Sequence, residues 1–293
     1  MSSPLEIWLS AARPKTLWAS VAPVMMASAM AWRNGEFHPM TAGFALLTAM
    51  LLQVATNFCN DYADFAKGTD TAERRGPRRA TAAGLVSPAA MKRATWIAFG
   101  LAAACALYLV VRGGWVLAVL MGLAIASGVL YTAGPKPLGY LGLGDLFVFI
   151  FFGPVAVAGT YYVQALQFNE AAAVAGIAPG LLSVAILVVN NQRDREGDAR
   201  SGKRTLAVRL GPTFSRWEYT LCIVLAAVIP LLLVRYYQAP INSAVAGLTA
   251  LAAISALRTM WTTEEPLLLN NLLAYTSLLL IVFAVLFSIG YVM

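Results

Sequence analysis

The chain has 293 residues, of which 59% are hydrophobic and only 12% charged, with a mean hydropathy of +0.70. A soluble domain of this length cannot bury that much apolar surface, so the composition excludes a soluble globular protein and places the chain in a bilayer. Its net charge of +7 does not indicate nucleic acid, because no recognition motif accompanies the basic residues. The three cysteines, Cys59, Cys105 and Cys222, are too far apart for a zinc site or a disulfide framework.

In chain order, Met1 to Glu6 lacks the basic region and small-residue cleavage site of a signal peptide, so the first apolar segment is expected to stay in the mature protein. Segments able to span the hydrocarbon at about 20 residues each then fall near 17–32, 40–59, 94–111, 115–132, 145–166, 171–190, 218–237, 241–258 and 268–292. The expectation is an all-α integral membrane protein of about nine transmembrane helices, formed by one intramembrane domain over 1–293. Trp18, Trp32, Trp115, Tyr131, Trp217 and Tyr236 flank the apolar runs, where aromatic rings anchor at headgroup depth. With nine crossings, Lys and Arg gather on one side, and only Arg33, Arg112 and Arg235 fall on the other. The positive-inside rule makes the rich side cytoplasmic, with the N-terminus in and the C-terminus out.

The polar sequence is concentrated in two cytoplasmic stretches, 61–93 and 191–216. The segment before the first ends Asn57, Asn60, Asp61, Asp64; the segment before the second ends Asn190, Arg193, Asp194, Asp198. Each set runs from an Asn to an Asp four residues on and then to a second Asp three or four residues later, so on a helix the side chains share a face. Carboxylates beside a membrane helix are costly and are kept for an ion or substrate path. Hard oxygen ligands suit Mg²⁺, which is held by one or two carboxylates together with substrate phosphate oxygens. Lys67, Arg78, Arg79, Arg193, Lys203 and Arg204 accompany them as cations suited to a diphosphate. Acid and base together imply a metal-bridged polyphosphate, and the absence of a Walker-type loop counts against ATP chemistry. A solvated loop explains any one of these charges, but not two matched Asn/Asp sets on one side. A secondary transporter would carry its polar site near mid-bilayer rather than at helix ends, and a membrane scaffold gives no reason for the pairing.

Several blocks carry a resemblance to a known family: Arg13-Pro14-Lys15-Thr16, Asn60-Asp61-Tyr62-Ala63-Asp64 with Lys67-Gly68-Thr69-Asp70, Gly76-Pro77-Arg78-Arg79, Tyr131-Thr132-Ala133-Gly134-Pro135, and Asn190-Asn191 with Arg193-Asp194, Asp198 and Gly202-Lys203-Arg204-Thr205. In these the chain resembles the UbiA superfamily of intramembrane aromatic prenyltransferases, and its naphthoate branch most. The spacing of Asp64 and Asp70 departs from the benzoate-type pattern, which makes Asp61 and Asp64 the stronger candidates.

The resemblance implies a helical bundle around a central cavity, in a bacterial inner (plasma) membrane, with the diphosphate end at the cytoplasmic mouth. It implies transfer of a polyprenyl group from polyprenyl diphosphate to 1,4-dihydroxy-2-naphthoate with decarboxylation, giving demethylmenaquinol. Other branches would use 4-hydroxybenzoate, homogentisate or a porphyrin-type acceptor.

On this reading Asp61, Asp64, Asp194 and Asp198 hold Mg²⁺ and are the catalytic set. Asn57, Asn60 and Asn190 serve as neighbouring oxygen ligands or orienters, and Lys67, Arg79, Arg193 and Lys203 as the diphosphate cations. Tyr131 faces either the allylic cation and acceptor or the headgroups. The charge-free stretches 146–169 and 268–292 are expected to wall the isoprenoid tail. His38, the only histidine, is expected on the opposite side as a solvated loop residue, and Glu264 and Glu265 without a role.

Overall fold

The computed structural model describes residues 3–69, 76 and 79–293, and every element among them is helical. A short helix α1 (Pro4–Ala12) and a 3-10 turn (Pro14–Thr16) precede α2 (Trp18–Arg33). Then follow α3 (Pro39–Ala66), α4 (Pro88–Gly113), α5 (Trp115–Leu130), α6 (Gly144–Phe152), α7 (Pro154–Ala165), α8 (Glu170–Arg200) and α9 (Leu206–Tyr237). A 3-10 turn (Ile241–Leu248), α10 (Thr249–Ala252) and α11 (Ile254–Thr262) lead to α12 (Pro266–Val292). Local sequence starts these helices: Pro occupies the first turn of α1, α3, α4, α7 and α12, and Ser87, Asn169 and Thr205 cap α4, α8 and α9 through their side chains.

Seven segments are long and apolar enough to cross a membrane, and the shorter Trp115–Leu130 is also apolar. Together with the 16-residue α2, each of the nine expected segments has its counterpart, and the chain is a multi-pass membrane protein. Three details differ from the sequence expectation. The fifth segment breaks at Gly153-Pro154 into α6 and α7, because Pro154 has no N–H to continue the ladder. The eighth is a 3-10 turn followed by two short helices rather than one continuous helix. α9 starts at Leu206 and bends at Gly211 (φ 81°), just before Pro212.

The break at Gly153 is tolerated because α8 offers a small-residue face, Gly176 and Gly180, one turn apart. A Cβ on Gly176 would lie 2.7 Å from the Pro154 Cα, and one on Gly180 would lie 2.8 Å from the Phe149 carbonyl oxygen. Such close backbone approach is how membrane helices gain packing when lipid is as apolar as the side chains. α8 is the most deeply buried span, and α6, α7, α9 and α12 pack on it.

Sidedness follows from the ends. Trp8 of α1 meets Phe58 near the end of α3, with ring centroids 5.5 Å apart, so the N-terminal helix lies at the Asp-bearing end. At the far end the Arg33 guanidinium is 3.3 Å from the Val292 carbonyl oxygen, and the backbone N–H of His38 donates to Gln164. Trp32, Trp115, Trp217 and Tyr236 are exposed, as rings at a membrane boundary would be.

Candidate active site

One cavity of about 390 Å³ runs between α2, α3, α5, α6, α7 and α8. From Asp64 down to Ala45 on α3, both of which border it, a helix rising 1.5 Å per residue covers roughly 28 Å, close to the full hydrocarbon thickness. Its inner walls are apolar, with Leu52, Leu120, Met121, Phe147, Phe151 and Phe152 among the lining residues. The expected wall over 146–169 is therefore present in part. The other, 268–292, is not: only Leu273 of α12 reaches the cavity, because Leu269, Leu280, Phe283 and Phe287 are spent on the bundle core.

The polar mouth collects Asn57, Asn60, Asp64, Arg79, Tyr131, Asn190, Asp194, Asp198 and Lys203 around one space. Among the expected site residues, Asp61, Lys67 and Arg193 do not border it. Helical geometry explains the sorting on α3. At about 100° per residue, Asn57 and Asp64 point almost the same way, whereas Asp61 and Asn60 sit at opposite edges of the stripe. Asp61 accordingly turns to the following loop, where its two carboxylate oxygens accept from the backbone N–H groups of Ala80 and Thr81, each at 3.0 Å. It is buried, and it anchors the backbone at Ala80 and Thr81, next to the Arg79 that borders the mouth. Asn60 turns the other way and accepts from the Thr132 hydroxyl. Asn57 donates to the Ala12 carbonyl at 2.9 Å, which pins the α1–α2 connection and leaves its amide oxygen for the cavity.

Asp64 draws groups from three other segments. Arg79 donates to it at 2.9 Å, the Tyr140 hydroxyl at 3.0 Å, and the Lys203 ammonium lies 3.1 Å away. Lys203 also lies 3.9 Å from Asp198. On α8, Arg193 grips Asp194 with two parallel bonds of 2.8 and 2.7 Å, and reaches Asn190 at 2.8 Å and Asn270 of α12 at 2.6 Å. That guanidinium is buried, and a Cβ on Gly76 would sit 2.7 Å from it, so Gly76 packs directly against it. Arg193 is thus an internal orienter. It takes the oxygen of Asn190, so that residue offers the cavity an amide N–H rather than an oxygen ligand. Lys67 likewise donates to the carbonyls of Thr132 and Gly134, at 2.6 and 3.1 Å, lacing the end of α3 to the loop after α5. Burial, reinforced by Lys203 and opposed by Asp64, lowers its pKa.

Tyr131 lines the cavity and is not a headgroup anchor. A Cβ on Gly144 would lie 2.8 Å from its hydroxyl, so glycine there makes room for the ring. Arg78 and Asp70 lie outside the described residues.

The donor set can be tested against a metal. Among the described residues no three acidic, His or Cys side chains converge into a closed cage. Asp64, Asp194 and Asp198 instead line the edge of an open space that also holds Lys203 and Arg79. This fits a hard divalent ion that arrives with water and substrate phosphate oxygens, as Mg²⁺ does, and not an ion that needs a complete protein shell.

The profile of the UbiA prenyltransferase family matches residues 20–268. The chain belongs to that family. A Haemophilus influenzae protein named 1,4-dihydroxy-2-naphthoate octaprenyltransferase is similar to it at 36% identity over 301 residues, covering 98% of this chain and 96% of that protein. An Escherichia coli protein of the same name is 39% identical over 239 residues, covering 80% of this chain and 77% of its own. Among solved structures, a UbiA homolog from Archaeoglobus fulgidus bound to GPP and Mg²⁺ is similar with a TM-score of 0.68 at 16% identity, over 96% of this chain and 99% of the homolog. At that identity the likeness speaks for the fold.

Two residues of this UbiA member's site carry no role in the sequence reading: Tyr140, from a loop, and Asn270, from α12. Asn270 sits in a helix that otherwise reads as an uninterrupted apolar span, and a lone polar pair, Asn270-Asn271, one turn inside such a span is the signal that could have found it. Tyr140 stands in Leu138-Gly139-Tyr140, one of the blocks that carry the family resemblance, but its role depends on neighbours from distant parts of the chain.

Proposed function

We propose that this protein transfers a polyprenyl group from polyprenyl diphosphate to 1,4-dihydroxy-2-naphthoate, with loss of the carboxylate as CO₂, giving demethylmenaquinol. The observation that carries this reading is the single cavity whose mouth holds Asp64, Asp198 and Lys203 and whose interior is lined by Phe147, Phe151 and Phe152. A charged head and an apolar tail are served by one continuous space. The naphthoate acceptor is supported by the names of relatives at 36% and 39% identity.

In the mechanism, Asp64, Asp194 and Asp198 would hold Mg²⁺, which when bound supplies charge neutralisation for the leaving diphosphate. Lys203 and Arg79, both at the cavity edge, donate to diphosphate oxygens and stabilise the charge that grows as the carbon–oxygen bond breaks. The apolar walls keep water from the allylic cation until the electron-rich ring attacks it. Tyr131, a protonated donor at the boundary between the polar mouth and the apolar interior, orients the acceptor. Asp61 and Arg193 act through others: the first holds the backbone of Ala80 and Thr81 beside Arg79, the second holds Asp194 and Asn190. The motif-bearing end faces the cytoplasm of a bacterial plasma membrane, supported by the excess of Lys and Arg there.

The test is product analysis by mass, using purified protein, a long-chain polyprenyl diphosphate and Mg²⁺ with either 1,4-dihydroxy-2-naphthoate or 4-hydroxybenzoate. Prenylated, decarboxylated naphthoquinol is expected. Prenylated hydroxybenzoate alone would move the acceptor assignment, and no product from folded protein with either acceptor would overturn the reading.

A further inference from the structure

Tyr140 sits in the 3-10 turn Leu138–Leu141 and borders the cavity mouth. Two ammonium groups approach its ring, Lys67 at 4.6 Å and Lys203 at 4.9 Å from the centroid. The two lysines are not equivalent. Lys67 is already fixed by two carbonyl oxygens and stays outside the cavity, whereas Lys203 lines it.

With Lys203 and Asp64, Tyr140 closes a triangle in which each member touches the other two. Its ring meets the Lys203 ammonium, its hydroxyl donates to Asp64 at 3.0 Å, and that ammonium lies 3.1 Å from the same Asp64 oxygen. The backbone repeats the link, because the N–H of Arg204 donates to the Tyr140 carbonyl at 3.0 Å and that of Lys203 to the Asp198 carbonyl at 2.8 Å.

Without such a post, a lysine on a flexible four-carbon stem would follow the nearest carboxylate. An aromatic face holds an ammonium without neutralising it, so the charge stays available to an incoming anion. We propose that Tyr140 is a positioning residue of the diphosphate end: its ring holds the Lys203 ammonium and its hydroxyl holds the Asp64 carboxylate. Lys203 then passes from Asp64 to a diphosphate oxygen while still resting on the ring, and Asp64 is released in a fixed orientation. This rests on the reading of the mouth as the diphosphate end.

The two halves of the post separate by substitution. Tyr140→Phe keeps the ring and removes the donor, whereas Tyr140→Leu removes both. The full-length protein in detergent is titrated with inorganic diphosphate by calorimetry, with thermal unfolding as the check on folding, and turnover is measured against Mg²⁺ concentration. Tyr140→Leu is expected to weaken diphosphate binding roughly three- to thirty-fold. Tyr140→Phe is expected to bind diphosphate within about twofold of the parent but to need several-fold more Mg²⁺ for half-maximal turnover, a loss on the scale of one hydrogen bond to a charged group.

Parent-like diphosphate binding by folded Tyr140→Leu would overturn the inference. So would equal losses of binding, Mg²⁺ response and thermal stability in both variants, which would mark a purely structural tyrosine. Should Tyr140→Leu fail to fold, Tyr140→Phe decides: an unchanged Mg²⁺ requirement overturns the proposal. If the parent protein itself binds no diphosphate, the reading of the mouth falls and this inference falls with it.

Discussion

The ends of α3 and α8 carry nearly the same sequence pattern and are wired differently. On α3 the first aspartate, Asp61, gives both oxygens to the backbone amides of Ala80 and Thr81, and the second, Asp64, gathers Arg79, Tyr140 and Lys203 from three other segments. On α8 the first aspartate is gripped by its own neighbour Arg193, and the second meets Lys203 at 3.9 Å. The α3 end therefore joins Arg79, Tyr140 and Lys203 from distant parts of the chain, whereas at the α8 end Arg193 joins Asp194 to Asn190 on the same helix and to Asn270 of α12. A repeated motif fixes where carboxylates are placed, and the residues between and around them decide what each can do.

The largest effect expected from this comparison is on turnover. Asp198→Asn removes a carboxylate that lines the cavity mouth 3.9 Å from Lys203, so it should lower turnover by at least about 100-fold, the scale of losing one strong stabilising group at a developing charge. Asp64→Asn should match the loss of turnover but also lower stability, because Arg79 and Lys203 lose a buried partner. Turnover of Asp198→Asn within a few-fold of the parent would break the assignment of the α8 end to the substrate. Chelation by EDTA should abolish product formation, with activity returning on addition of Mg²⁺; full activity in EDTA would remove the metal from the mechanism.

Asp61→Asn should reverse the order, with stability affected before chemistry. A carboxamide keeps one acceptor oxygen for two buried amides, so one N–H loses its charged partner, a cost of about 1.5–3 kcal/mol. The expected reading is a lower unfolding temperature, together with turnover per folded molecule well above that of Asp198→Asn. Arg193→Lys lies between the two. It keeps the charge but cannot reproduce a bidentate fork while also reaching Asn190 and Asn270, so both stability and turnover should fall, measured on the same preparations.

The spans, the end of the bundle that bears the polar mouth and the two Asn/Asp stripes are all legible in the sequence, because hydrophobic length and helical period report them directly. The wiring is not. Lys67 and Arg193 read as substrate cations since both sit beside the motifs, yet side-chain direction turns one to the carbonyls of Thr132 and Gly134 and the other inward to Asp194. Asp61 and Asp64 are three residues apart and differ by about 60° around the helix axis, enough to give one to the loop and the other to the cavity. The break at Gly153-Pro154 was visible as a dipeptide, but its compatibility with a crossing segment depends on Gly176 and Gly180 in another helix. The wall over 268–292 failed because an apolar helix facing other helices and one facing a cavity have the same composition.

The smallest expected effect concerns the next acidic contact along α8. Glu264 lies 3.1 Å from Arg216 and 3.8 Å from Arg195, so it ties the start of α12 to α8 and α9 on the same side as the mouth. Its side chain is 50% exposed, and ion pairs in contact with water contribute about 0–1 kcal/mol after screening. It does not border the cavity. Glu264→Gln should therefore leave turnover and Mg²⁺ requirement unchanged and move the unfolding temperature barely at all. Because Arg195 lies only two residues from Arg193, this variant sets the boundary of the site: a loss of turnover would extend the site along α8 to Arg195 and Glu264, and the contrast with α3 would have to be redrawn around a larger α8 network.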